Sequence, residues 1–269
     1  MGKLKLLITA ILFLLTLTAF GQISSESNKT PEDDQAFKRG QEIIDKAMKK
    51  WASDNEFLQK NFSYIEKRIN VDYEFKSSKD KKNEDGKEKK REEKTYLMQS
   101  IKGVLSQKVL DGIKKDFEPA EGEKLKDEEA RITVSLVKAF RFKFVTLADA
   151  KRPFYLLAFY PNDSFVPGDY LEEAMVSICG TAEVWADNNS LKAIHGYLCK
   201  DLSYGILADV LEVEFDFYSH QLDGGLDVLG GYRAKFKIDG PLVWNYNQAR
   251  IRERSSFKKL NTSIVRSTQ

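Results

Sequence analysis

Two alternating runs flank a glycine-rich turn in residues 211–239, LEVEFDFYSHQLDGGLDVLGGYRAKFKID. With the turn centred on Gly224-Gly225, Glu212, Glu214 and Asp216 fall opposite Lys237, Lys235 and Arg233. Val213, Phe215 and Phe217 then fall opposite Phe236, Ala234 and Tyr232. Side chains alternate faces along a strand, so one face of this hairpin is a ladder of opposite charges and the other is apolar and aromatic. A slip of one residue would put both sets on the wrong side, which pins the register. The charged face is expected to be wet. The apolar face needs helices, or a ligand, laid over it.

The neighbouring segments extend the same pattern. Leu242–Arg254 reads as a further strand. Thr181–Asp187 and Leu191–Lys200 read as a hairpin about Asn188-Asn189-Ser190, with His195 facing Glu183. The same register sets Cys179 opposite Cys199, which gives either a disulfide or two buried thiols. Asp169 to Cys179 reads as a short helix. Phe140, Phe142 and Phe144 alternate with Arg141 and Lys143, and FYLLAFY (154–160) is a largely apolar strand after the turn Ala150–Pro153. Residues 95–111 read as a strand broken near Gly103, and Glu123–Ala139 as a helix.

Upstream, Tyr64, Val71, Tyr73 and Phe75 recur with a period of two. They lead into KSSKDKKNEDGKEKKREEK (76–94), which holds nine basic and six acidic residues. This run is either a nucleic-acid or anionic-lipid patch or a long, solvated hairpin tip. A turn at Asp85-Gly86 sets Tyr73 opposite Met98 and Phe75 opposite Tyr96. Thr30-Pro31-Glu32-Asp33 is a helix start, with a cap, a proline at the first turn and acidic residues behind it. Phe37, Ile44, Met48 and Trp51 continue at helical spacing to about Leu58, giving an amphipathic helix whose stripe must be covered.

Residues 1–21, MGKLKLLITAILFLLTLTAFG, read as a cleavable signal peptide. Lys3 and Lys5 precede an uncharged apolar stretch shorter than the ~20 residues of a membrane span, and Ala19-Phe20-Gly21 offers small residues before Gln22. A membrane anchor is the alternative. Residues 22–30 are polar and read as disordered, and residues 31–265 as a single domain. The chain has 269 residues, with 43 Lys+Arg and 41 Asp+Glu. Removing Lys3 and Lys5 with the leader leaves 41 of each, which argues against nucleic acid as a partner. Two His and two Cys exclude haem-rich, iron–sulfur or zinc-array chemistry.

No G-x-S-x-G, Walker A, H-E-x-x-H or C-x-x-C is present. The expectation is therefore no catalytic residues, no metal site and no cofactor. His195 with Glu183 could form an acid/base pair, and with Cys179 and Cys199 could ligate zinc, but neither spacing matches a known arrangement. The aromatic stripes are either core under the helices or the wall of an acyl-chain cavity. On the cavity reading Trp51, Phe142, Phe144, Phe215, Phe217 and Phe236 would touch the chain.

The segments NFSYIEKR (61–68), TYLMQSIKG (95–103), FRFKFVTLADAKRPFYLLAFYP (140–161), CGTAEVWADNNSLKAIHGYL (179–198) and GGYRAKFKIDGPLVWNYNQARIRERSSFKKL (230–260) carry a family resemblance. Together they resemble a family of exported bacterial proteins related to the outer-membrane lipoprotein-sorting (LolA/LolB-like) carriers. The resemblance implies an α+β, mostly β fold: a curved, antiparallel, unclosed half-barrel sheet wrapped around two or three helices. It implies lipid binding and lipoprotein transport in the periplasm, with a lipid or lipoprotein acyl chain as ligand. Membrane contact would be only transient and the protein a monomer. The other role it implies is that of an interaction or envelope-sensing protein, with an envelope protein partner and a concave face filled by its own helices. If residues 1–21 are a leader, N-terminal sequencing of exported material will start at or next to Gln22, whereas intact Met1 on membrane-recovered protein would establish an anchor.

Overall fold

The computed structural model describes residues 31–74, 87–101, 104–110, 118–119, 137–148, 151–168, 170–204, 208–222, 225–240 and 245–260. The leader, residues 22–30, most of the expected helix 123–139 and the Asp85-Gly86 turn lie outside them. In chain order the elements are α1 (Pro31–Asn61), β1 (Phe62–Tyr73), β2 (Glu88–Ile101), β3 (Val104–Val109), β4 (Glu118–Pro119), β5 (Phe140–Ala148) and β6 (Phe154–Pro161). There follow α2 (Tyr170–Met175), β7 (Ile178–Trp185), β8 (Leu191–Leu198), β9 (Leu202–Ser203), β10 (Asp209–Leu222), β11 (Leu226–Asp239) and β12 (Tyr246–Lys259). All twelve strands form one sheet in the order β4-β3-β2-β1-β12-β11-β10-β8-β7-β6-β5, with β9 beside β10. Every pairing is antiparallel, and the sheet does not close into a barrel. This is the curved half-barrel of an α+β, mostly β fold.

α1 is 31 residues, roughly 46 Å of helix at 1.5 Å per residue, long enough to cross the whole concave face. Glu32, Asp33 and Asp34 sit in its first turn and Lys60 in its last, as the helix dipole favours. Near the β5 edge, Lys143 Nζ meets Asp33 at 2.5 Å, and the Arg141 guanidinium lies over the Phe37 ring at 4.2 Å. Along its middle, Ile43, Ile44, Ala47 and Met48 are buried with Phe140, Phe142, Leu157, Phe159, Ala182 and Ile194 in the main core. At its far end Leu58 enters a second core with Tyr64, Tyr96, Met98 and Val228. The helix then becomes β1 with no loop, and the Leu260 N–H holds the Asn61 carbonyl at 2.7 Å. The stripe read from the sequence is thus covered by the sheet, as its period requires.

The hairpin 211–239 pairs as expected from Glu212↔Lys237 to Phe217↔Tyr232. Beyond Tyr218 a bulge shifts the register by one residue, so Leu222 faces Leu226. The other two hairpins differ from their expected registers. Met98 faces Tyr64 rather than Tyr73, and Tyr73 faces Glu88. Burial of Tyr64, Tyr96 and Met98 against Leu58 sets this register. The segment expected as one broken strand forms two antiparallel strands, with Ile101 opposite Val104. In β7–β8, Cys179 faces Tyr197 and His195 faces Thr181, two residues from the expected register; next to the turn Val184 faces Leu191, and a bulge between Glu183 and Val184 shifts the ladder by one. The short helix ends at Met175, so Cys179 belongs to a strand.

The charge ladder is not uniformly wet. Lys235 and Lys237 are only 5% and 3% exposed. Their strand partners in β12 are Ala249 and Asn247, and Ala249 clusters with Ile69 and Val71 on the same face. The lysine stems cover that apolar patch while Lys235 Nζ keeps a 2.7 Å bond to Glu212.

Gly40 sets how closely α1 can approach. A Cβ at this position would overlap the Phe142 carbonyl and crowd the Phe144 nitrogen. A helix-interior Gly→Ala change ordinarily stabilises by about 1 kcal/mol. Here Gly40→Ala should instead lower stability by ~1–3 kcal/mol in urea denaturation, because the helix must lift from β5.

Candidate functional site

Cross-strand partners share a face, so the registers give the concave surface row by row. One row runs Phe144, Leu157, Ala182, Ile194, Phe217, Tyr232, Arg252, Arg68, Lys94 from β5 to β2. The next runs Phe142, Phe159, Gly180, Gly196, Phe215, Ala234, Arg250, Asn70, Glu92. A shorter one runs Val213, Phe236, Gln248, Asp72, Lys90. Each row is apolar as far as β11 and polar or charged from β12 onward. Gly180 and Gly196 have a packing reason: a Cβ on either would collide with the Phe159 or Phe215 ring lying across it.

The structure divides the six aromatic candidates. Phe142 is 1% exposed under α1 and is core, not ligand wall. Phe144 is partly buried, with the Arg39 guanidinium 3.7 Å from its centroid. Trp51, Phe215, Phe217 and Phe236 are partly buried at the margin of the core. Trp51 stacks edge-on against Phe217 with centroids 6.0 Å apart. Its Nε1 is buried with no hydrogen-bond partner, a costly state for a donor. These four residues form a continuous, half-open aromatic wall.

Beside the wall lies a group that was not singled out from the sequence. Glu66, 1% exposed, accepts from Arg68 Nε at 2.7 Å and from Arg254 Nε at 3.0 Å. Arg68 also reaches Gln107 at 3.1 Å and lies over the Tyr96 ring at 4.2 Å, and Arg254 lies over Tyr64 at 5.1 Å. Burial alone would push the Glu66 carboxyl up, but Arg254, Arg68 and Arg252 together hold it below the usual carboxylate range. Arg252 sits 5.5 Å above the Tyr232 centroid, and Arg250 is exposed. The alternating R-x-R-x-R of NQARIRER (247–254) was the available signal, since alternation on a strand puts all three on one face.

Cys179 and Cys199 are joined in a disulfide, Cα atoms 5.6 Å apart. Cys199 lies just past the end of β8, where its N–H donates to the Ser177 carbonyl. The bond removes both sulfurs from any zinc site, and it is the chemistry of an oxidising, extracytoplasmic compartment. His195 Nδ1 meets Asp216 at 2.6 Å, not Glu183, and both side chains are about half exposed. Glu183 pairs with Lys192 at 2.6 Å.

No family model matches the chain, and no curated protein matches it. Among solved structures, a MucB in complex with MucA(peri) is 10% identical, covering 82% of this chain and 98% of its own, with a TM-score of 0.24. The Pseudomonas aeruginosa MucA/MucB complex is 9% identical over 79% and 98%, with a TM-score of 0.23. A Mycobacterium avium tesB protein is 8% identical over 81% and 87%, with a TM-score of 0.15.

The buried carboxylate predicts a pH dependence. A depressed pKa contributes stability above the unfolded value of about 4.3, and that contribution is lost as pH falls through the lower folded value. Glu66→Gln should cost ~3 kcal/mol at neutral pH by leaving Arg68 and Arg254 without their carboxylate. In the same acid titration the variant should lose less stability than the wild type below pH of about 4.

Proposed function

We propose that the protein is a periplasmic, non-catalytic binding protein that holds an acyl-bearing, amphipathic ligand against the open part of its concave face. The reading keeps the kinship with Lol-type lipoprotein-sorting proteins that the sequence resembles. The observation that carries it is the partly buried aromatic wall of Trp51, Phe215, Phe217 and Phe236 at the margin of the main core. Single apolar side chains at the surface are ordinary, but a contiguous set left partly exposed marks an interaction surface.

One observation favours a sensing or presenting role over that of a carrier. α1 already occupies much of the concave face, with Ile44, Ala47 and Leu58 fully buried. A ligand would lie beside the helix instead of being enclosed by the sheet. Such a ligand stays accessible to an envelope protein partner, which fits reporting its presence better than shielding it in transit.

The test is displacement of a fluorescent acyl probe by monopalmitoylglycerol. Phe217→Ala and Phe236→Ala should each weaken binding about tenfold, equivalent to ~1.4 kcal/mol, with little change in Tm. Phe142→Ala should instead cost ~3–5 kcal/mol of stability, as for any large core truncation. Absence of acyl binding by well-folded wild-type protein would defeat the reading and leave partner-protein binding as the role of the filled half-barrel.

A further inference from the structure

We infer that the ligand of this face carries an anionic head group, and that Arg250 and Arg252 are its recognition site. This rests on the acyl-binding reading and adds the polar half of the ligand.

The first support is adjacency. Phe217, Tyr232 and Arg252 are successive partners in one cross-strand row, and Phe215, Ala234 and Arg250 in the next. Neighbouring strands lie about 4.8 Å apart, so a head group at the arginines sits roughly 10 Å from the phenylalanines two strands away. That is the separation between the polar end and the first methylenes of a single-chain amphiphile bound across the strands.

The second support is charge balance. Glu66 is one carboxylate facing Arg68, Arg252 and Arg254, and both its oxygens are already taken by Arg68 and Arg254. Arg252 has the Tyr232 ring beneath it, and Arg250 has no hydrogen bond or ion pair among the described residues. Glu92, opposite Asn70, is engaged by Lys90 at 2.6 Å. Two guanidiniums side by side on one strand face repel each other. An anion bridging them removes that repulsion and accepts paired N–H donors, which suits phosphate or carboxylate.

The third support is the buried Trp51 Nε1, a donor without an acceptor beside Phe217. An ester or hydroxyl oxygen between tail and head would satisfy it.

The experiment compares two probes with the same tail, palmitoyl-lysophosphatidic acid and monopalmitoylglycerol, in the displacement assay. Wild-type protein should bind the phosphate-bearing probe at least tenfold tighter at low ionic strength, with the advantage shrinking as salt is added. The double variant Arg250→Gln/Arg252→Gln should lose that advantage and bind monopalmitoylglycerol as the wild type does. Equal binding of the two probes by the wild type, or an advantage that survives in the double variant, would overturn the inference while leaving the acyl-binding reading intact. Failure of both probes would overturn both. Displacement of the lipid by an equal concentration of inorganic phosphate would assign the arginines to a free anion instead.

Discussion

The seating of α1 in the concave face is the contact on which the rest of the structure depends. Without it Phe140, Phe142, Leu157 and Phe159 would face water on a single-layer sheet, which cannot bury its own apolar side. The approach is set by one missing side chain, at Gly40, and by the ion pair and ring contacts that hold the helix start to β5. The helix runs straight into β1, so its far end has no independent freedom, and its position fixes which part of the concave face stays open.

That division of the face is also a division of electrostatics. Under the helix the rows hold phenylalanine, leucine, isoleucine, alanine and glycine. Beyond Tyr232 they hold arginines, and the one deeply buried carboxylate among them is held ionised by its neighbours. The helix shelters the apolar strands, while on the cationic strands Arg250 keeps access to water and Arg68 and Arg254 are held against the buried Glu66. The aromatic wall lies on the border between the two.

Much of the fold was legible in the sequence, and the reason is alternation. In 212–217 and 232–237 charged and apolar residues alternate so strictly that only one register satisfies both faces, and that register is observed. The 62–101 hairpin gave no such constraint. Its second arm is almost all charge from Glu88 to Lys94, so the pairing was decided by Tyr64 and Met98 meeting Leu58, a tertiary contact invisible to local pattern. The disulfide was legible although its assumed register was two residues off, since a strand end leaves room for such an error. Of the candidate residues, the face they share was readable but not the fate of each ring. Phe142 and Phe144 look alike in sequence, and only the path of α1 makes the first core. The arginines on β12 were in view as a pattern, yet their role depends on β1 supplying Glu66 and Arg68 from nearly two hundred positions away.

The pairing of β1 with β12 has a consequence for how the molecule assembles. The first strand of the sheet to be synthesised pairs with β2 on one edge, but its other edge waits for the last strand, with Phe62 beside Lys259. The hairpins from β5 to β8 close over short loops, and the Cys179–Cys199 bond can lock one of them early. The seam between β1 and β12 closes over almost the whole chain, and loop closure of that span makes it a late and slow event. The cationic half of the concave face, built across this seam, therefore comes into existence only at the final step of folding, after the aromatic half is already in place.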